Sequence, residues 1–155
     1  MYNFRTDLAL ERRDIFKKNN KLEEIDGIQT EEKEIDENLK VEKVKIINEN
    51  GEKAIGKPIG TYVTIDIKNL RLAEEAEIQK SAETLSTELK EIINKHINFK
   101  DDILVVGLGN IYVTPDSLGP KVIKTIDITR HIIKYLPQYI DENSRPVSAI
   151  SPGVL

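Results

Sequence analysis

The chain has 155 residues, 32% of them charged, a net charge of −4 and no cysteine. That length suits one globular domain or most of one, and the mildly acidic balance offers no electrostatic basis for binding nucleic acid. Missing thiols exclude a disulfide framework, a Cys-ligated zinc and a thiol nucleophile, and no h-region or apolar run of about 18 residues indicates a signal peptide or membrane span.

Met1–Asp14 is polar, carries Arg5, Arg12 and Arg13 among acids, and reads as a loosely held terminus. Lys17–Asn38 is densely charged and reads as loop, with a marginal strand near Gly27-Ile28; the acids of Glu31–Glu37 form a solvated stretch. Leu39–Ile47 sets Val41, Val44, Ile46 and Ile47 in a charged frame, the pattern of a strand backed by solvent. Asn50-Gly51 is the strongest two-residue hairpin signal, with the return strand expected at Tyr62–Ile67 after an irregular stretch around Gly56, Pro58 and Gly60.

Leu70–Ile97 has the spacing of a long helix. Its apolar residues include Leu72, Ala76, Ala82, Leu85, Leu89, Ile92 and Ile93; acids crowd its start, and Lys90, Lys95 and His96 lie toward its end. The stripe serves either the core or a subunit contact. A turn at Lys100-Asp101-Asp102 leads to Ile103-Leu104-Val105-Val106, which reads as a buried strand. One helix is predicted from Pro120 to about Leu136, ended by Pro137, and a second parallel strand at Pro146–Ile150. The fold class is α/β, an open twisted mixed sheet with flanking helices. The sequence stops at Val154-Leu155 with no polar tail, so the expectation is a domain truncated after the βαβ unit 103–150.

Between the first of these strands and the helix lie Gly107-Leu108-Gly109-Asn110 and then Asp116, the lone side chain charged at neutral pH between Asp102 and Lys121. Glycines let other groups approach the backbone, and active sites of open α/β sheets lie at the carboxyl ends of strands, where this acid falls. Asp116 therefore reads in two ways: as a helix N-cap, or as a catalytic carboxylate. Gly107, Gly109, Asn110 and Thr114 are candidates for shaping the cleft or positioning substrate. The third glycine of a dinucleotide fingerprint is missing, which argues against nucleotide binding. His131, in the second helix, is a surface or packing residue by default and a candidate metal ligand alongside a carboxylate.

Five stretches in order resemble the germination protease family, the spore proteases that degrade small acid-soluble spore proteins on germination. They are RTDLALE at Arg5–Glu11, IGKPIGTYVTID at Ile55–Asp66, VVGLGNIYVTPDSLGPKV at Val105–Val122, ITRH at Ile128–His131 and RPVSAISPGVL at Arg145–Leu155. The resemblance implies a phosphorylase/hydrolase-like sheet, a spore-core location in the cytoplasm, a homo-oligomer (a tetramer), and no required cofactor. It implies a zymogen that cuts itself where its sequence mimics the substrate pattern Thr-Glu, cut, apolar, Ala, any residue, Glu. Thr6–Glu11 matches with Asp7 in place of Glu, giving self-cleavage between Asp7 and Leu8, a prosegment 1–7 and a protease domain from 8 to 155.

The family's proposed chemistry is an aspartate pair that activates water. Asp116 matches the first member, and the second lies on a strand beyond Leu155, so the chain as given is expected to be inactive. The central stretch is also similar to the hydrogenase maturation endopeptidases, in which Asp116 would fall at a metal-contacting acid. Two further readings therefore stand beside the spore protease: a metal-dependent maturation-type endopeptidase, and a non-catalytic α/β binding module. The TDLALE stretch argues against the former.

Overall fold

The computed structural model describes residues 6–21, 23–99 and 101–153. Residues 1–5 of the expected prosegment, Leu22, Lys100 of the predicted turn, and Val154-Leu155 lie outside the described residues. The chain divides into two compact units, Met1–Lys90 and Glu91–Leu155. The fold is α/β, with antiparallel and parallel strand pairs in open sheets and helices alongside.

The first unit opens with helix α1, Ala9–Asn20, where the sequence reads as a loose terminus. Few apolar residues mark it, which is why composition hides it. Ala9 is buried, Leu10 and Phe16 pack against the core, and the side chains of Arg12 and Arg13 are each only 16% exposed. The stems of these arginines cover apolar surface that a hydropathy pattern counts as polar.

Strands β1 (Ile28–Glu34), β2 (Leu39–Ile46) and β3 (Gly60–Ile67) form an antiparallel sheet in that order. Strand β1 begins at the predicted Ile28 but runs on through Glu31, Glu32 and Lys33, all exposed. Pairing with β2 holds it as a strand, and its charge suits an exposed edge. Lys40 of β2 lies 2.6 Å from Glu32 and 3.0 Å from Glu42; these carboxylates hold its ammonium pKa up at about 12, while Lys40 in turn lowers that of Glu32.

The burial of β2 changes phase along its length. Leu39 and Val41 are buried through one face, Val44 and Ile46 through the other. Val44 and Ile46 join Ala9, Ile25, Ala54 and Ile55 in the core, with Tyr62 of β3 packed alongside. On the opposite face, Val41 pairs in register with Ile65 and Leu39 with Ile67.

The hairpin predicted at Asn50-Gly51 is absent. These residues lie in helix α2, Glu49–Ile55, capped by Asn48, whose side-chain oxygen accepts the Gly51 N–H at 3.0 Å. Asn48 supplies a stronger helix start than Asn50-Gly51 supplies a turn. Gly51 is needed for contact: a Cβ there would lie 2.4 Å from the Gly27 carbonyl oxygen. The sheet's hairpin is instead β1–β2, whose turn is fastened by Asp36 accepting the Asn38 N–H at 2.8 Å.

The long helix, α3, spans Glu75–His96, preceded by a 3-10 turn at Leu70–Leu72. Its N-terminus is set by Glu77, whose carboxylate accepts the Glu74 N–H at 2.9 Å in the manner of a capping box. The apolar stripe is not its buried face. Ile78, Leu85 and Leu89 are about half exposed, whereas Ser81 and Glu88 are each 8% exposed. Polar contacts explain the reversal: Glu88 Oε2 lies 2.8 Å from Lys43 of β2, and Asn38 donates to Glu77 at 3.1 Å.

In the second unit, β4 (Ile103–Val106) pairs in parallel with β5 (Val147–Ile150), as the sequence predicts, but β4 is not the buried strand expected: Leu104 and Val106 are 63% and 48% exposed. The single helix expected between them is two, α4 (Leu118–Thr125) and α5 (Arg130–Tyr135). The break lies at Ile126–Thr129, where the backbone is recruited elsewhere. Thr129 N–H donates to Val147 O at 3.1 Å, and its hydroxyl bonds Arg145 O and accepts the Val147 N–H.

Candidate active site at the ends of the parallel strands

Strand β4 ends at Val106, and the next four residues turn across the carboxyl ends of both strands. Gly107 extends the pairing, its N–H donating to Ile150 O at 2.9 Å, and Ser151 Oγ donates to Gly107 O at 3.2 Å. Helix α4 starts hard against this turn. A Cβ on Gly107 would lie 2.4 Å from Gly119 O, and one on Gly109 would lie 2.0 Å from Asp116 O. Gly109 also has φ +135°, a conformation that L side chains rarely adopt. The glycines are there so that strand end and helix start can touch.

Asp116 ends a 3-10 turn, Thr114–Asp116. It is not the cap of α4. Ser117 occupies that position, buried, with its hydroxyl turned back to donate to Thr114 O at 2.9 Å. Asp116 instead accepts the Asn110 N–H on Oδ2 at 2.8 Å, while Asn110 Oδ1 accepts the Tyr112 N–H at 2.9 Å. The carboxylate is thereby held to the glycine turn by one oxygen. The side chain is exposed, and among the described residues Oδ1 makes no hydrogen bond. One oxygen orients the group and the other remains open to water or substrate, which is the arrangement a general base needs.

Beside this turn lies an open cleft of about 550 Å³. Of the predicted site residues, Gly109 and Asn110 line it. Gly107 does not line it but accepts from Ser151, which does, and Thr114, also outside the lining, contributes its carbonyl oxygen to Ser117. Sequence reasoning missed Tyr112, Lys124 and Ser151, which also line the cleft. Ser151 had a usable signal, since it directly follows a parallel strand and such positions border the sites of α/β sheets. Among the described residues Lys124 is the lining residue with a formal charge, and no carboxylate, Asp116 included, lines the cleft.

His131 is exposed on α5 and is not among the lining residues. Its neighbour Arg130 has a structural task, pairing with Asp102 at 2.9 Å before β4. Among the described residues no three His, Asp or Glu side chains stand together as a metal-binding group. Arg145, before β5, donates to Asn98 O at 2.9 Å and Asn94 Oδ1 at 2.8 Å and stacks over Phe99. The ITRH and RPVSAI stretches thus hold the parallel strands in place.

In the first unit, Asp7 is exposed and Leu8 stands at the N-cap position of α1 without a side-chain cap. The predicted cleavage bond therefore sits at the edge of a helix.

The family model described as germination protease matches residues 6–155. A germination protease of Clostridium perfringens is 48% identical over the whole chain, which covers 47% of that relative. One from Clostridium acetobutylicum is 43% identical with the same coverage, and one from Priestia megaterium is 42% identical over 99% of this chain and 42% of its own length. The chain spans about half the length of these curated relatives. No helix among the described residues is long and apolar enough to cross a membrane. With a family match running through both units, the chain belongs to the germination protease family.

Proposed function

We propose that this chain supplies the substrate cleft and one catalytic carboxylate of an endopeptidase that degrades small acid-soluble spore proteins in the spore core. Asp116 carries the reading: its carboxylate is fixed by the Asn110 N–H, open on its other oxygen, and set at the carboxyl ends of two parallel strands. It acts as the base of an aspartate pair, taking a proton from water as that water adds to the scissile carbonyl carbon. The C–N bond then breaks, and the departing nitrogen takes a proton and leaves as an amine.

One carboxylate cannot share a proton, and among the described residues the cleft beside Asp116 is lined by no carboxylate that could be its partner. We place the second aspartate on a further strand of the full-length protein. That strand would extend β4–β5 edge-on into a phosphorylase/hydrolase-like sheet, and the helices of its crossover would cover the face on which Leu104, Val106 and Ile150 are about half exposed or more. Residues 1–155 alone are therefore inactive. The zymogen removes residues 1–7 by cutting Asp7–Leu8, leaving a protease domain that starts at Leu8 and works as a homo-oligomer.

The test is the intact mass of the full-length protein bearing these residues. Loss of seven residues is expected on activation, and Asp116→Asn should block it. Normal self-cleavage in Asp116→Asn would overturn the catalytic assignment, and processing at another bond would overturn the site.

A further inference from the structure

A protease reads its substrate as an extended strand. Leu8 itself is extended, at φ −75° and ψ 126°, but the chain is helical from Ala9 on and is tethered before the bond, so the extended stretch a protease needs is not available. Downstream, Leu8 O accepts the Arg12 N–H at 3.1 Å, which closes the first turn of α1, and Ala9 is 4% exposed in the core. Upstream, Thr6 O accepts from Arg12 Nε at 2.7 Å, and Thr6 Oγ1 accepts the Leu8 N–H at 3.2 Å.

The same guanidinium reaches a third element. Arg12 Nη1 donates to Gly56 O at 2.9 Å and Ile55 O at 3.4 Å, carbonyls at the C-terminal end of α2 that have no helical partner of their own. One planar group, 16% exposed, therefore ties the backbone before the bond to the helix after it and to α2. The Asp7 carboxylate adds little, lying 3.6 Å from Nη2 and 99% exposed.

We propose that Arg12 is a latch on the Asp7–Leu8 bond. The bond becomes accessible when the first turn of α1 unwinds, Ala9 leaves the core and the guanidinium releases Thr6 O. This rests on the reading of Asp7–Leu8 as the processing site. It adds that the rate of processing is governed by the conformation of the junction as well as by the catalytic centre. Arginine is required because a lysine ammonium is a point donor and cannot hold the Thr6 and Gly56 carbonyls with one rigid fork.

The latch can be read with an external protease, a glutamyl endopeptidase that cuts after Asp and Glu, acting on residues 1–155. Cleavage at Asp7–Leu8 is followed by mass spectrometry beside a synthetic peptide of residues 1–14, with each substitution also made in the peptide. The folded chain should be cut at this bond at least about tenfold more slowly than the peptide, and Arg12→Ala and Arg12→Lys should each recover most of that difference. Amide exchange in β2 reports whether the fold survives. If Arg12→Ala loses that protection, Arg12→Lys decides. A folded wild-type chain cut as fast as its peptide, or a folded Arg12→Lys cut as slowly as wild type, overturns the latch. Because the protease is supplied, these results stand apart from where the full-length protein processes itself.

Discussion

Asp116 and Gly109 divide the work of the glycine turn, and substitutions separate their parts. Asp116→Asn keeps an oxygen for the Asn110 N–H, so the turn should persist with a stability change below about 1 kcal/mol, measured by urea unfolding. Self-cleavage of the full-length protein should fall by about 10² to 10⁴, the span that general base catalysis supplies. Gly109→Ala should do the reverse of a clean active-site change. Its added methyl would stand 2.0 Å from Asp116 O at a φ of +135°, so the turn must shift, at a cost of about 2 kcal/mol or more. Stability and activity then fall together. A Gly109→Ala chain as stable as the parent would show that the strand end and helix start do not need this close approach.

At the scale of elements, α3 is the informative case, because it turns a polar face to β2. Lys43 and Glu88 are 12% and 11% exposed at their side chains, 2.8 Å apart, with geometry that gives charge pairing without a well-formed hydrogen bond. Removing one member of a buried pair is costly, whereas replacing both with apolar groups is often neutral. Glu88→Ala should cost about 3 kcal/mol, and Lys43→Met with Glu88→Leu should return stability to within about 1 kcal/mol of the parent, both by denaturant midpoint. A double variant as weak as the single one would mean that this face needs its charges. Nearer the start of the helix, Lys80 lies 2.5 Å from Asp36 of the β1–β2 turn and holds its carboxyl below the usual range. That contribution is present above the ordinary carboxylate pKa and fades as pH falls through the lowered one.

Across the whole molecule, the sequence was most legible where one physical signal acted without competition. Ile103–Val106 is a short run rich in β-branched residues, Val147–Ile150 is a short stretch between Pro146 and Ser151-Pro152-Gly153, and both are strands in parallel register. The five stretches shared with the family lie in both units, and the central stretch placed Asp116 at a strand's carboxyl end. Legibility failed where side chains made tertiary contacts that periodicity does not encode. Arg12 and Arg13 act as packing residues in α1, Asn48 captured Asn50-Gly51 into a helix, and Thr129 left the helical path to bind β5. The orientation of α3 was hidden for a related reason: its apolar stripe is real, but the ion-paired face won the place beside the sheet. In the cleft, Tyr112 and Lys124 carry no local signature, because they were assembled by the fold of the turn and α4.

The parallel pairing of β4 with β5 also bears on the order in which structure is acquired. Glu34 pairs with Lys40 across a hairpin of six positions, whereas Ile103 pairs with Val147, 44 positions later. Each doubling of a loop adds about 0.6 kcal/mol of closure entropy, so the longer closure costs about 1.7 kcal/mol more before any contact repays it. Local antiparallel pairs are gained early and distant parallel ones late. In pulse-labelled refolding, amides of β1 and β2 should gain protection before those of β4 and β5, and the opposite order would sink this view. The carboxylate fixed at the ends of those late strands would then be among the last features to form, and the tie from Arg12 to Gly56, which also spans 44 positions, would close no earlier.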